Sequence, residues 1–319
     1  MRSISARSYS RVAVAALVLL CIIVLTGAAV RLTGSGLGCD DWPRCNQERF
    51  IDVSSTHGAI EQVNRLFTGL VAVAVILAVL GAHRRAPRRP DLVRLAWGLV
   101  VGVLGQVILG GIVVLTDLHP LANQGHFLLS MILVTNATVL VVRSRDPEVA
   151  AQTGPSDSSA ITRRVARVVF VTGCLALYTG TFVTGSGPHA GDEEARRFGF
   201  DISHVARVHG VSVIVFLASL LWLISCSRRD RRIWSKMSGV LEATMAVGIV
   251  QAAVGYTQYF NDIPAALVAV HIAGATAIMT CLTLLVTQTN RASIDGGEPI
   301  ANVSELAHHG VDDRLDGFH

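Results

Sequence analysis

Charge is scarce in this chain. Only 16% of its 319 residues are Asp, Glu, Lys or Arg, while 51% are hydrophobic, and the mean hydropathy is +0.51. That balance excludes an ordinary soluble domain, because the apolar residues gather in stretches of about 20, the length a helix needs to cross a bilayer's hydrocarbon core. The net charge of +4 is no nucleic-acid signal, since the arginines sit in short loops between apolar runs. Cysteine is sparse too, at six. Cys21, Cys174, Cys226 and Cys281 lie in or beside apolar runs and read as small packing residues. Cys39 and Cys45 have no further Cys or His beside them, which argues against a metal site there.

Eight apolar runs are present, at about 12–32, 56–82, 93–115, 121–142, 165–184, 203–226, 237–258 and 264–286. A basic start followed by an apolar run also describes a cleaved signal peptide. The first run is long enough to span, and its end carries a motif that recurs later, so it reads as a retained helix. Between the fourth and fifth runs, Ser144 to Ala160 is polar, with Pro147, Gly154 and Pro155, and reads as a linker. The tail after Asn290 is polar and reads as flexible. Arginines cluster at the N-terminus, between runs 2 and 3, around the central linker and between runs 6 and 7. The positive-inside rule therefore places both termini in the cytoplasm, as an even helix count requires. The expected fold is an all-α integral membrane protein of eight transmembrane helices in two pseudo-symmetric four-helix bundles. The halves are residues 1–150 and 151–290, followed by a cytoplasmic tail, 291–319.

The two halves are visible as an internal repeat. Gln106-Val107-Ile108-Leu109-Gly110 precedes His126 as Gln251-Ala252-Ala253-Val254-Gly255 precedes His271, at an offset of 145 positions. Stepping back 42 positions from each glutamine reaches Asn64 and His209. Thr33-Gly34-Ser35-Gly36 is echoed by Thr184-Gly185-Ser186-Gly187. All four of Asn64, His126, His209 and His271 fall in the first two or three turns of even-numbered helices, roughly 8–13 Å below the outer surface. A lone histidine in such a helix is as readily a hydrogen-bonding residue between helices. Three at matched depth in repeat-related positions shift the balance, and two on adjacent helices at equal depth can supply both axial nitrogens of a haem iron. His209 and His271 form such a pair. Asn64 and His126 do not, because asparagine is a poor iron ligand, so the first half leaves one face of a bound haem open.

Other polar residues are weighed against plainer readings. Glu61 has no acidic counterpart in the second half, where Ala206 stands. An unpaired carboxylate there is costly, so it is protonated, paired with Arg65 one turn on, or functional; we read it as catalytic. Glu242 reads as structural. His57, one turn before Glu61, is placed to hydrogen-bond that carboxyl or has no role at all. His204 competes with His209 but breaks the repeat register and reads as a rim residue. His83, His119, His189, His308, His309 and His319 are assigned nothing. Cys39 and Cys45 bracket Asp-Asp-Trp-Pro-Arg, as a structural disulfide or as a redox-active pair.

Taken together, several motifs resemble those of the haem A synthases, the CtaA/Cox15 family, and most closely their actinobacterial branch. These are Gly38-Cys39-Asp40-Asp41-Trp42-Pro43-Arg44-Cys45, Glu61-Gln62-Val63-Asn64-Arg65, and the two Gln-x-x-x-Gly…His segments. The resemblance covers all eight helices. It implies an oxidoreductase of the bacterial cell membrane that converts the C8 methyl of haem O to a formyl group, making haem A for terminal oxidases. It implies haem b as cofactor, with His209 and His271 as axial ligands. It implies His126 as a ligand of the substrate iron and Glu61 as the essential acid. Asn64 stands where the family has histidine. Implied partners are haem O, a haem O synthase, terminal oxidase assembly factors and membrane lipid, with no nucleic acid; an oligomer is open. Two other readings are a b-type cytochrome that only transfers electrons, and a transporter. Transport is disfavoured because both halves have the same orientation and no helix is visibly broken at mid-membrane.

Overall fold

The computed structural model describes residues 3–145 and 157–294. Eight α-helices account for most of them: α1 Ala6–Leu32, α2 Thr56–Arg84, α3 Pro90–Leu115, α4 Pro120–Ser144, α5 Asp157–Ser186, α6 Ile202–Arg228, α7 Arg231–Phe260 and α8 Ala265–Ile294. Each is long and apolar enough to cross a membrane. Among the described residues there is no β-strand, only an isolated bridge between Ile4 and Arg85. The chain is a multi-pass membrane protein, the architecture in which every backbone N–H and C=O is satisfied within its own segment.

Seven of the eight helices begin where the apolar run begins or somewhat before it, α8 starting one residue after it at Ala265, and the reason lies in the caps. Ser5 accepts the N–H of Ser8 and starts α1 ahead of the apolar run at 12. Ser55 caps α2 through Gly58, and Asp230 caps α7 through Arg232 and Ile233. Pro90 and Pro120 stand at the first helical positions of α3 and α4, where a missing N–H costs nothing. Hydropathy marks the buried length of a helix; its true ends are set by side chains that satisfy the terminal N–H groups. For the same reason the expected linker of 144–160 is too long. Helix α4 runs through Ser144 and α5 starts at Asp157, and the remainder, 146–156, lies outside the described residues. The expected flexible tail begins at 291, but α8 continues to Ile294; residues 295–319 lie outside the described residues.

Helices α1 to α4 pack as a ring, each against the next and α4 back against α1, and α5 to α8 do the same. A core built on Tyr9, Val75, Leu99 and Leu140 fills the first ring, and one built on Phe216, Leu223, Leu241 and Leu282 the second. The seam joins α4 to α8 and α5, and α1 to α8. Val24, Phe127, Met131, Ile272 and Met279 pack in it, and buried Gln124 donates to Thr181 Oγ1 at 2.6 Å across it.

The loops 33–55, 116–119, 187–201 and 261–264 gather on one face. Gly36 N–H donates to the Gly191 carbonyl, Leu118 packs with Ala190 and Ala195, and His189 Nε2 bonds the Ile263 carbonyl. Two of these loops repeat at the level of backbone conformation. Asp117 and Leu118 have φ of 52° and 58°, and Asp262 and Ile263, 145 positions later, have 56° and 55°. Leu118 N–H closes onto Val113 O and Ile263 N–H onto Gln258 O, both at 2.8 Å. These bonds satisfy carbonyls at the ends of α3 and α7. They hold a leucine and a β-branched isoleucine in the left-handed region, at about 1–2 kcal/mol per residue. The two-residue reversal sets where α4 and α8 start, and hence the height of His126 and His271.

Candidate functional site

Three histidines meet three glycines in the same way. His126 Cε1 lies 3.5 Å from the place a Cβ on Gly110 of α3 would occupy. His209 Cε1 lies 3.1 Å from that of Gly180 in α5, and His271 Cε1 3.3 Å from that of Gly255 in α7. In each hairpin the imidazole of the even helix is seated on bare backbone of the preceding one. Small residues allow this close approach in membrane helices. The glutamine of each repeat sits beside the same histidine segment. Gln106 Nε2 donates to His126 O at 3.1 Å and to Ser130 Oγ at 2.7 Å. The amide of Gln251 fills the space a side chain on Gly274 would need, one turn past His271. The fixed spacing of glutamine, glycine and histidine thus has a packing cause.

In the second half the rings of His209 and His271 stand edge to face across the bundle, with centroids 6.3 Å apart and planes at 79°. Two metal–imidazole bonds of about 2.0–2.1 Å set in line place ring centroids about 6 Å apart. His209 Nδ1 is 3.2 Å from Thr179 Oγ1, which in turn bonds Ser212 Oγ at 2.7 Å. Such a partner fixes the ring and leaves Nε2 as the free nitrogen. His271 Nδ1 is buried and meets no hydrogen-bonding group of the protein. Among the described residues no three His, Cys, Asp or Glu side chains come together as a bare ion would require. Two imidazoles so placed suit a metal that arrives with its other ligands in place, as haem iron does. The residues therefore fit a haem.

The first half differs as the repeat foretells. His126 is seated on Gly110, and its Nδ1 is buried without a protein partner, as is Oε1 of Gln106. Asn64 is tied sideways to α1, its Oδ1 accepting Thr26 Oγ1 at 2.8 Å. This half offers a single imidazole and an amide already engaged by a hydroxyl.

Glu61 lies one turn before Asn64 and is 5% exposed. Both of its oxygens are occupied. Oε1 accepts Arg65 Nη2 at 2.6 Å and Nε at 3.0 Å; Oε2 accepts the backbone N–H of Cys39 at 2.8 Å. The pairing across one turn, expected from spacing, is present. Arg65 also donates to the carbonyls of Asp41 and Arg44, and its guanidinium lies 5.0 Å from the centre of the Trp42 ring. Trp42 in turn fills the space beside Gly111 of α3. Cys39 and Cys45 are joined in a disulfide. The loop between the cysteines is therefore fastened to the Glu61–Arg65 pair and laid across the first half.

Neither of the two readings of His57 describes its contact. His57 does not bond Glu61; its Nδ1 pairs with Ser35 Oγ at 2.9 Å. Helix α2 opens at Thr56, so His57 points at the end of α1 while the loop's own backbone reaches Glu61 first. His204 stays at the rim of α6, its N–H donating to Asp201 Oδ1, and Glu242 is exposed on the side of α7. Sequence reasoning missed Thr26, Thr179 and Gly180. Gly110 and Gly255 stood inside the repeated motif, whereas Gly180 has no such motif and only its place five positions before Gly185 in α5 hints at it.

Comparison with known proteins covers part of this site. The family model described as COX15-CtaA, cytochrome oxidase assembly protein, matches residues 10–191, more than half of the chain. That span holds Glu61, Asn64 and His126 and stops short of His209 and His271. The chain is similar to the heme A synthase of Geobacillus thermodenitrificans, 28% identical over 146 residues that cover 44% of this chain and 45% of that one. It is similar to the heme A synthase of Exiguobacterium sibiricum, 29% over 167 residues, 52% and 56% of the two chains. It is also similar to that of Shouchella clausii, 32% over 166 residues, 51% and 54%. The chain spans about half the length of the curated relatives it matches.

Proposed function

From the premise that this chain belongs to the COX15-CtaA family of cytochrome oxidase assembly proteins, we propose that it is a haem A synthase of a bacterial membrane, oxidising the C8 methyl of haem O to a formyl group. The single observation that carries this reading is the asymmetry of the two halves. A pair of imidazoles, His209 and His271, stands in one half with ring centroids 6.3 Å apart. A lone imidazole, His126, stands in the other, with Asn64 already bonded to Thr26. An electron carrier has use for the first arrangement and none for the second.

In this reading residues 1–150 hold the substrate and residues 151–290 a haem of b type. When bound, that haem supplies a one-electron relay. The protein's own part is positional and electrostatic. Thr179 orients His209, and Gly180 and Gly255 set how far each ring stands from the bundle axis. Converting a methyl to a formyl group is a four-electron oxidation, CH3 + H2O → CHO + 4 H+ + 4 e− where water is the oxygen donor, with the electrons passing to an external acceptor; where electrons leave the carbon ahead of its protons, positive charge develops there. Glu61, itself buried, is placed to stabilise such charge. Its three N–H donors hold the carboxylate in one position, which suits a fixed charge better than a swinging base. The disulfide loop, fastened to Glu61 and Arg65, would limit the access of water to the first half. The termini lie in the cytoplasm by the arginine distribution. Haem O synthase and terminal oxidase assembly factors stand upstream and downstream of this step.

The test is to express the chain with a haem O synthase in membranes that lack haem A and to separate the extracted haems by chromatography. Haem A is expected only when the chain is present. If haem B is bound while haem O accumulates unchanged, the reading is wrong, and a b-type cytochrome that only passes electrons takes its place.

A further inference from the structure

Arg31 is a cation without a counter-ion. It ends α1, partly buried under the loop 187–201. Its Nε donates to the His189 carbonyl at 2.6 Å and its Nη2 to the Thr184 carbonyl at 2.9 Å. Nη1 donates to no protein group, and no carboxylate among the described residues pairs with the guanidinium. The charge that acts on it is that of another cation, Arg197. Asp192, Glu193 and Glu194 stand in the same loop without engaging it. Arg197 spends its donors on the carbonyls of Gly187, Pro188 and Ala195. A guanidinium partly withdrawn from water without an anion loses hydration that nothing of opposite charge restores, and its planar fork is matched to a carboxylate or phosphate.

Where Arg31 sits narrows the choice. Thr184 is one helical turn beyond Gly180, to whose carbonyl its own hydroxyl bonds at 3.0 Å, and Gly180 is the seat of His209. One turn is about 6 Å of rise. His189, which takes Nε, bonds through its ring to Ile263, just ahead of the helix that carries His271. Arg31 is thus tied, on the loop side, to the end of the helix that seats His209 and to the loop ahead of the helix that carries His271, held by two backbone carbonyls with part of its fork free. A porphyrin between those imidazoles carries two carboxylates on one edge.

We propose that Arg31 binds a carboxylate of the porphyrin held between His209 and His271. The inference rests on the haem reading above and deepens it. It predicts that the carboxylate edge of the ring faces the loops and that removing one cation lowers affinity for the free acid without touching the axial ligands.

The test compares binding of haem b with that of its dimethyl ester to the full chain produced without haem, in detergent, for the unaltered protein and for Arg31→Gln, Arg31→Lys and Arg197→Gln. The unaltered protein should bind the ester roughly tenfold or more weakly, the size of one charge-assisted pair. In Arg31→Gln that preference should shrink to about threefold or less, with the low-spin spectrum intact, and Arg31→Lys should fall between. The midpoint potential of Arg31→Gln should drop by up to about 59 mV, a tenfold change for one electron. Arg197→Gln should match the unaltered protein. If Arg31→Gln does not fold, Arg31→Lys, which keeps the charge and loses the fork, carries the comparison. An ester preference unchanged in the Arg31 variants overturns the proposal. If co-purified phospholipid falls instead, the anion is a lipid phosphate and the proposal is equally wrong. If the unaltered protein binds neither porphyrin, the haem reading fails and this proposal with it.

Discussion

Placing alanine at Gly180 tests whether His209 is held at a set height. A Cβ there would stand 3.1 Å from His209 Cε1 and 3.5 Å from Nδ1. Carbon–carbon contacts are most favourable at about 3.5–4.0 Å, so the ring must yield by about 0.4 Å. It is not free to do so cheaply, because Nδ1 is tied to Thr179 at 3.2 Å. At Gly255 the corresponding distance is 3.3 Å, a shortfall of about 0.2 Å, and at Gly110 it is 3.5 Å, no shortfall at all. Against this stands the gain from alanine in a helix interior, about 0.8–1.0 kcal/mol over glycine. Overpacking costs about 1–3 kcal/mol. Gly110→Ala should therefore stabilise by up to about 1 kcal/mol, Gly255→Ala should be near neutral, and Gly180→Ala should destabilise by about 1–2 kcal/mol. Two readouts separate the terms: the apparent unfolding midpoint in detergent at one scan rate, and the electron paramagnetic resonance of the low-spin haem. The second should move most in Gly180→Ala and not at all in Gly110→Ala. Equal effects of Gly180→Ala and Gly110→Ala in both readouts would refute the claim that glycine backbone sets the position of the axial ring.

His271→Ala should abolish the low-spin haem b spectrum, and an unchanged bis-imidazole spectrum would remove it as a ligand. Glu61→Gln should keep that spectrum and stop haem A formation; normal turnover would take Glu61 out of the mechanism. Arg65→Leu leaves a buried carboxylate unpaired, at roughly 3–5 kcal/mol for a buried pair, and frees the loop 39–45, so hydrogen exchange there should rise by orders of magnitude while that of α6 and α8 stays put. Asp201 caps α6 from outside the span, where the Ser203 hydroxyl and the His204 backbone N–H hold its carboxyl below the ordinary carboxylate range. Its contribution is present above the unfolded value near ~3.9 and is lost as pH falls through the lower folded value. Asp201→Asn should therefore flatten the acid limb of the midpoint-versus-pH curve below about pH 4, and an unaltered limb would show that the cap is not coupled to folding.

How much was legible follows from which forces act locally. Hydropathy alone determined eight spans, because a bilayer imposes a length on any helix that crosses it. The repeat put His126, His209 and His271 at matching places in their helices, six or seven positions past each helix start, because equal offsets on equal helices give equal rise. The spacing of Glu61 and Arg65 made their pairing one of three readings, and it is the contact the structure shows. All of these depend on positions close in sequence or on a periodicity. What remained hidden depends on which surfaces meet. No local rule sends Thr26 to Asn64, Ser35 to His57, or the Cys39 N–H to Glu61, since each joins segments more than 20 positions apart. His57 stayed open in the sequence for this reason: its neighbour in sequence was one turn away, but its partner in space was the segment just past the end of another helix. The seating of His209 on Gly180, the strap from Arg31 to His189, and the 6.3 Å between the paired imidazoles belong to the same class. A sequence carries the periodicities that shape each helix; only the packed bundle decides which polar groups, denied water, find one another.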